Sequence, residues 1–196
     1  EVFLESGHWA RAPRLVRRLL ATQVERPLLQ RAAGLITVNP SVEQVLAERY
    51  ELPERRVVVY NCVEPLESAS RPRELREAIG VGDDTPIALY HGGFSPVRGL
   101  RQIIDAAVDP RLENIHVAFL GYGPMEAELR TLAARPDVAG RIHVIKAVSP
   151  DVLDRWVAGA DVGLMPNQHE TLNEYVSTPN KLFESIGVGT PVVSSD

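Results

Sequence analysis

A glycine loop followed by an arginine is the first group of residues in this sequence that could do chemistry. Gly92 and Gly93 directly follow an apolar run, and Arg98 stands just before a predicted helix that begins at Leu100. Glycines allow backbone N–H groups to approach an anion closely, and the N-terminus of a helix adds about half a positive charge. The loop is therefore predicted to bind phosphate, with a tight turn beside a solvated arginine as the equally weighted alternative.

A short segment around position 180 carries the second group. Ser177 or Thr178 is predicted to cap a helix whose first turn contains Pro179, where the missing N–H costs nothing. Asn180 and Glu184 then lie four positions apart on one face of this helix. A carboxylate can accept two hydrogen bonds at once, which is what the two hydroxyls of a ribose offer. The pattern favours Glu184 as an acceptor for sugar hydroxyls, although a solvent-exposed helix glutamate is the commoner case.

A second glycine pair, Gly121 and Gly123, follows another apolar run. The fingerprint of dinucleotide-binding folds would place a third glycine at position 126, which is occupied by Glu126. A nicotinamide site is therefore not supported, and the pair alone is a weak indication of a ligand loop.

These loops are predicted to be positioned by strands that alternate with helices. Strands are predicted at residues 35–38, 56–63, 86–93, 115–123, 142–148, 161–166 and 190–196, and helices at 15–33, 39–50, 100–109, 124–135, 149–160 and 179–187. This alternation is typical of a doubly wound parallel sheet, an α/β fold, in which ligands bind at the carboxyl ends of the strands. Ser41 is the predicted N-cap of the second helix.

The stretch between the second strand and Pro86 interrupts this rhythm. Residues 65–85 are rich in proline, serine, glycine and charge, which predicts a linker or domain boundary. The chain is accordingly divided into two predicted domains, residues 1–70 and residues 71–196.

Composition excludes several classes of protein. The 196 residues are 44% hydrophobic and 24% charged, as in ordinary globular proteins, and the formal charge of -5 argues against a nucleic-acid partner. The single cysteine, Cys62, cannot form an internal disulfide, and the scattered histidines do not suggest a zinc cluster. No apolar stretch is long enough to span a bilayer and no leader pattern is visible, so a cytoplasmic location is expected.

From Leu35 to Asp196 the chain resembles the family 4, or group 1, glycosyltransferases. The likeness is carried by the stretches LITVNPSVEQVLAERY, VVVYNCVEP, YHGGFSPVRGL, VAFLGYGP, ADVGLMP and PNKLFESIGVGTPVVSSD. The last stretch is the most specific, because Glu184 and the following Gly189 and Pro191 match the family's closing motif. The resemblance implies a GT-B fold of two Rossmann-like domains. The chain would then hold the end of the acceptor-side domain and a donor-binding domain that is truncated at its C-terminus.

The resemblance also implies an activity. The family transfers a hexose or related sugar from a nucleotide-sugar donor to an acceptor hydroxyl, with retention at the anomeric carbon and without a metal or other cofactor. The acceptor could be a glycan, a lipid-linked molecule or a small molecule, and peripheral membrane association would come through the missing half. The isolated chain is expected to be inactive, because that half supplies the acceptor pocket.

Carried over residue by residue, the resemblance assigns roles to the loops. The phosphates are assigned to the glycine loop and to side chains of the last helix, and the charge of the leaving diphosphate to Arg98 and Lys181. Glu184 is assigned to the ribose. The full donor-binding set is Gly92, Gly93, Gly121, Gly123, Ala147, Val148, Asn180 and Glu184, with Gly121 and Gly123 in the loop beside the donor and Ala147 and Val148 against the base.

The sequence departs from the family pattern at several positions. An arginine and a lysine five residues apart are common in the family's loop, but these positions are Gly93 and Arg98 here. A glutamate that meets the donor sugar, eight positions before the ribose glutamate, is replaced by Val176. Recognition of the hexose is then expected from Glu170, Asn173 or Glu174.

Two histidines and two other functions complete the sequence predictions. His8 and His91 are predicted to have structural or exposed roles rather than catalytic ones. The alternatives to a transferase are a GT-B nucleotide-sugar epimerase and a non-catalytic module that binds a nucleotide or a protein partner.

Overall fold

The computed structural model describes residues 13–65, 71–168 and 172–195. Its helices are α1 (Arg14–Leu20), α2 (Arg26–Arg31), α3 (Pro40–Arg49), α4 (Glu74–Ile79), α5 (Leu100–Ala106), α6 (Glu126–Ala133), α7 (Pro150–Ala158), α8 (Leu172–Val176) and α9 (Asn180–Gly187). Its strands are β1 (Leu35–Thr37), β2 (Arg56–Val58), β3 (Ile87–Gly93), β4 (His116–Tyr122), β5 (Ile142–Lys146), β6 (Val162–Met165) and β7 (Val192–Ser194).

The chain divides into two compact units. The first comprises Glu1–Asn61 and His169–Pro179, and the second comprises Cys62–Gln168 and Asn180–Asp196. The division into residues 1–70 and 71–196 stays a prediction. None of the helices in the described ranges is long and apolar enough to cross a membrane.

The first unit contains a two-stranded parallel sheet in which α3 connects β1 to β2. Asn39 has an extended backbone and caps α3, because its side chain accepts a hydrogen bond from the N–H of Val42 at 2.8 Å. The predicted cap, Ser41, was wrong and lies inside the helix. Pro40 explains the shift, since proline is favoured in the first turn and the residue before it is held extended.

The second unit is built on a five-stranded parallel sheet with the strand order β5-β4-β3-β6-β7. One face packs against α5 and α6 through a cluster that includes Tyr90, Phe94 and Phe119, whose ring centroids lie 6.1–6.4 Å apart. The other face buries a second cluster, which includes Leu75 of α4 and Val157 of α7. Helices on both faces of a parallel sheet confirm the predicted doubly wound α/β fold.

The segment predicted as a linker contains a packed helix. Leu75 in α4 is fully buried in the second core cluster, and Arg76 is only 1% exposed. The guanidinium of Arg76 donates to the carbonyls of Gly82 and Thr85 and to the carboxylate of Asp161, at 2.7, 2.7 and 2.9 Å. The linker prediction was therefore wrong for Glu74–Ile79, because a helix of six residues gives too short an apolar pattern to be recognised between polar flanks.

Candidate functional site

The strand order places the candidate site between β3 and β6. The chain runs from β3 outward through β4 to β5, and then crosses to β6 on the other side of β3. A crevice opens at the carboxyl ends of the strands where the order reverses, and ligands bind there in open α/β sheets. The ends of β3 and β6 and the connection that carries α9 therefore form the region in which to look for function.

The glycine loop at the end of β3 leaves room for a ligand on one side. A Cβ at Gly93 would meet nothing within 4 Å. Gly92 adopts φ +120°, a left-handed conformation that favours glycine, and a Cβ there would lie 3.6 Å from the Nζ of Lys181. The loop continues through a 3-10 turn at Pro96–Arg98 into α5, which confirms the helix predicted after it.

The second glycine pair has a packing role. A Cβ at Gly121 would overlap the carbonyl oxygen of Gly92, and a Cβ at Gly123 would lie 2.5 Å from the carbonyl oxygen of Phe94. The N–H of Phe94 in turn donates to the carbonyl of Tyr122 at 2.8 Å. These glycines therefore allow the end of β4 to pack against the loop after β3. Their placement beside a sugar donor stays a prediction.

Lys181, in the first turn of α9, is the most unusual charged group of the site. Its Nζ lies 3.9 Å from the centroid of the Tyr90 ring, is excluded from solvent and has no hydrogen-bond partner among the residues described. Its pKa is lowered to about 7, first by burial and then by the positive charge of Arg98, against the opposing effect of Glu184. A buried ammonium without a partner is costly, so this group is poised to receive an anion.

Arg98 brings a second positive charge to the same place. Its Nη1 lies 3.4 Å from the side-chain oxygen of Asn167, a long hydrogen bond, and the guanidinium has no other hydrogen-bond partner among the residues that the structure describes. Burial raises the pKa of the Tyr90 hydroxyl to about 12, and the positive charge of Arg98 opposes that rise. Sequence reasoning missed the buried Asn167, although its position just after β6 pointed to the same crevice.

Glu184 is paired with a histidine. The Nε2 of His91 lies 2.9 Å from Oε2 of Glu184, with the imidazole 3% exposed and the glutamate side chain 25% exposed. Glu184 is therefore not the fully solvated helix residue of the alternative interpretation. The contact of His91 with Glu184 was not predicted, although the position of His91 directly before Gly92 at the carboxyl end of β3 was a usable signal.

The other predicted residues are distributed more widely. Asn180 begins α9 in the second unit, whereas Asn173 and Glu174 lie on α8 in the first unit. The hydroxyl of Thr178 accepts a hydrogen bond from the side-chain amide of Asn39 at 2.7 Å. Glu170 and His8 lie outside the described residues.

The loop after β5 contains Ala147 and Val148, the two residues that the resemblance assigns to the base. Ala147 is exposed and its N–H donates to the carbonyl of Gly121 at 3.1 Å. The side chain of Val148 packs against the second core cluster. Among the described residues, no group of three or more His, Cys, Asp or Glu side chains is arranged to hold a metal ion.

Comparison with known proteins identifies the family. A family model described as Glycosyl transferases group 1 matches residues 85–196, which is more than half of the chain. The chain belongs to the group 1 glycosyltransferases. The match covers the β3, β4, β6 and α9 elements that form the site, so the family and the geometry concern the same part of the molecule.

Curated relatives within this family are longer than the chain. The 2-deoxystreptamine glucosyltransferase of Streptomyces kanamyceticus is 27% identical over 186 residues, which is 91% of this chain and 46% of the relative. The D-inositol 3-phosphate glycosyltransferase 2 of Catenulispora acidiphila is 27% identical over 135 residues, covering 63% of this chain and 30% of the relative. The chain thus spans less than half the length of these relatives.

Solved structures share the fold. Sucrose-phosphate synthase from Thermosynechococcus elongatus has a TM-score of 0.72 at 18% identity, covering 98% of this chain and 47% of its own. WaaG, a glycosyltransferase involved in lipopolysaccharide biosynthesis, has a TM-score of 0.73 at 21% identity, with coverage of 98% and 52%. The fold of this group 1 glycosyltransferase is therefore GT-B, as the resemblance implied. The comparisons favour neither the epimerase nor the non-catalytic module.

Proposed function

We propose that this chain forms the donor-binding half of a retaining glycosyltransferase that moves a hexose from a nucleotide-sugar to an acceptor hydroxyl. The observation that carries the proposal is the buried Nζ of Lys181, which has no partner among the described residues and lies beside the open glycine loop. An anion with several oxygens, such as a diphosphate, would satisfy this ammonium together with the N–H groups of the loop. Solved neighbours include Anabaena HepE in complex with UDP-glucose, which makes such a donor a reasonable ligand.

The chemistry follows from where charge develops. Negative charge grows on the diphosphate as the bond between sugar and phosphate breaks, and groups already oriented toward that charge stabilise the transition state. Arg98 contributes a planar fork of donors and Lys181 a compact ammonium, so the leaving group would meet two different cations. With both charges supplied by side chains, the proposed reaction uses no metal and no other cofactor.

The rest of the donor is assigned by analogy. Glu184 would accept hydrogen bonds from the ribose, Ala147 and Val148 would lie against the base, and Asn180 would add a donor near the phosphates. The acceptor, which could be a glycan, a lipid-linked molecule or a small molecule, would be bound by the rest of the full-length enzyme. A cytoplasmic location and peripheral association with a membrane belong to this proposal as well.

The function is tested first by binding. In a thermal-shift panel of UDP, GDP and ADP without metal, a ligand at 100 times its dissociation constant should stabilise the protein by about 2.7 kcal/mol. Arg98→Ala should weaken binding of the diphosphate by about tenfold or more, and binding of the nucleoside much less. Arg101→Ala is the matched control, because Arg101 lies on the adjacent α5 and pairs with Glu128 on the protein surface.

The outcomes separate the parts of the proposal. Equal losses for diphosphate and nucleoside in the Arg98→Ala protein would contradict the phosphate assignment. Sugar transfer is expected from the full-length enzyme and not from this chain alone, because half a cleft cannot hold donor and acceptor together. Turnover by the isolated chain with a simple acceptor would show that expectation to be wrong.

A further inference from the structure

We propose that His91 determines the preference of the nucleotide site for ribose over deoxyribose by holding the carboxylate of Glu184 in place. This inference rests on the proposed function, since it concerns the same donor site. It adds a positioning residue to that site and assigns it a measurable effect on ligand selectivity.

A hydrogen bond from His91 fixes the position of the Glu184 carboxylate. His91 belongs to β3, a central strand hydrogen-bonded on both sides, and its side chain is 3% exposed. Its Nε2 lies 2.9 Å from Oε2 of Glu184, which is a normal hydrogen-bond distance. Oε1 of Glu184 accepts no hydrogen bond from any residue in the described ranges. One oxygen is therefore fixed by the sheet and the other is open to a ligand.

A carboxylate that is held in one position should distinguish ribose from deoxyribose better than one that rotates freely. Each carboxylate oxygen has two acceptor sites, so Oε2 can accept from His91 and from a ribose hydroxyl at the same time. The Glu184 carboxylate can then accept hydrogen bonds from both ribose hydroxyls and lose little side-chain conformational entropy on binding. Deoxyribose lacks one hydroxyl and would leave one of these acceptor sites unsatisfied on a carboxylate that is only 25% exposed, which is costly.

Without His91 the penalty for the missing hydroxyl should fall. A released Glu184 side chain could rotate and satisfy its oxygens with water, so it would be less prepared for the diol and less disturbed by its absence. Affinity for the ribonucleotide should drop, while affinity for the deoxyribonucleotide should change little.

The experiment compares two variants of His91 in the full chain. Isothermal titration measures binding of the nucleoside diphosphate that stabilises the wild type most, of its 2′-deoxy analogue and of inorganic pyrophosphate. The wild type should prefer the ribonucleotide about tenfold or more. His91→Leu should reduce that preference to about threefold or less and leave pyrophosphate binding unchanged. His91→Gln, which keeps an N–H donor on a side chain of similar reach, should retain most of the preference.

Several outcomes would overturn the inference. A His91→Leu protein with the wild-type preference would do so, and so would equal loss of preference in the Gln and Leu proteins. If His91→Leu fails to fold, Glu184→Gln carries the test, because full ribose preference without the carboxylate would remove the role of the pair. Wild-type binding of nucleotides without any ribose preference overturns this inference alone, whereas no binding of any nucleoside diphosphate overturns the proposed function with it.

Discussion

Replacing Lys181 with methionine should make the ligand-free protein more stable at neutral pH. The Nζ of Lys181 is buried without a partner among the described residues, and its pKa is lowered from 10.5 to about 7. The unfolded chain restores the ordinary pKa, so protonation of this amine favours unfolding at pH 7. Methionine would occupy the same space without a charge to bury.

The size of the effect follows from two opposing contributions. At about 1.36 kcal/mol per pKa unit, lowering the pKa from 10.5 to about 7 costs the folded protein roughly 4 kcal/mol at pH 7. The contact between Nζ and the Tyr90 ring, at 3.9 Å, returns about 1–2 kcal/mol. We therefore expect Lys181→Met to raise the free energy of unfolding by about 2 kcal/mol, a gain typical of removing a strained functional group.

The gain should depend on pH with a defined sign. Because the pKa is depressed in the folded state, the stability contribution of Lys181 is fully present above pH 10.5 and is lost progressively as the pH falls from 10.5 to about 7. The difference between Lys181→Met and the wild type should therefore shift by about 2 kcal/mol in favour of the wild type between pH 7 and pH 9. Urea denaturation at these two pH values measures it. Lys146→Met is the control, since Lys146 is exposed at the end of β5.

Two results would refute this reasoning. A Lys181→Met protein that is less stable than the wild type at pH 7 would show that the ammonium is not buried at a cost. A difference that stays constant up to pH 9 would show that its pKa is not depressed. The same variant should also bind inorganic pyrophosphate about tenfold more weakly or worse. A gain in stability with unchanged pyrophosphate binding would separate the burial of Lys181 from its proposed role.

Three further predictions concern other parts of the second unit. Gly121→Ala should lower the free energy of unfolding by about 3 kcal/mol or more in urea denaturation, because its Cβ would overlap the Gly92 carbonyl. Gly93→Ala is the control and should change this free energy by less than about 0.5 kcal/mol, because its Cβ would lie in open space. The imidazole rings of His116 and His143 are stacked, and Nδ1 of His116 lies 2.9 Å from Nε2 of His143. Burial lowers both pKa values below 6.5. The contribution of this pair to the free energy of unfolding is therefore fully present above pH 6.5 and should be lost as the pH falls below it. His143→Gln should flatten that loss in thermal melts between pH 7 and 5, and an unchanged slope would contradict the assignment. Glu184→Gln should weaken ribonucleotide binding by about tenfold or more with little effect on stability. Titration with a 2′,3′-dideoxy nucleotide is the control, because the affinity for this ligand should hardly change.

The sheet of the second unit could be predicted from sequence because its central strands, β3 and β4, are buried on both faces. Strands such as Ile87–Gly93 and His116–Tyr122 then appear as continuous apolar runs, and the segments between them have helical spacing. The same reasoning places Arg98, Lys181 and Glu184 in loops or helices next to strand ends. The expectation that these side chains lie near one crevice follows from the topology of any parallel doubly wound sheet.

The pairings within the site could not be predicted in this way. His91 and Glu184 are 93 positions apart, and only the packed fold shows that they meet. Burial of Arg76 in α4 likewise depends on acceptors supplied by Gly82, Thr85 and Asp161, which no local pattern of a charged, proline-rich stretch reveals. Local signals predict elements, whereas side-chain partners depend on long-range packing.

Helix α9 sets the spacing between the proposed phosphate and ribose contacts. Lys181 and Glu184 are three positions apart on it, so their separation along the axis is fixed at about 4.5 Å by the rise of an α-helix. A rotation or slide of this one element would displace both contacts together, and neither could be optimised for a new ligand without disturbing the other. On the proposed function, ligand preference should therefore diversify by substitutions in the loops after β4 and β5, while α9 keeps the spacing of the contacts to the part that all nucleoside diphosphates share.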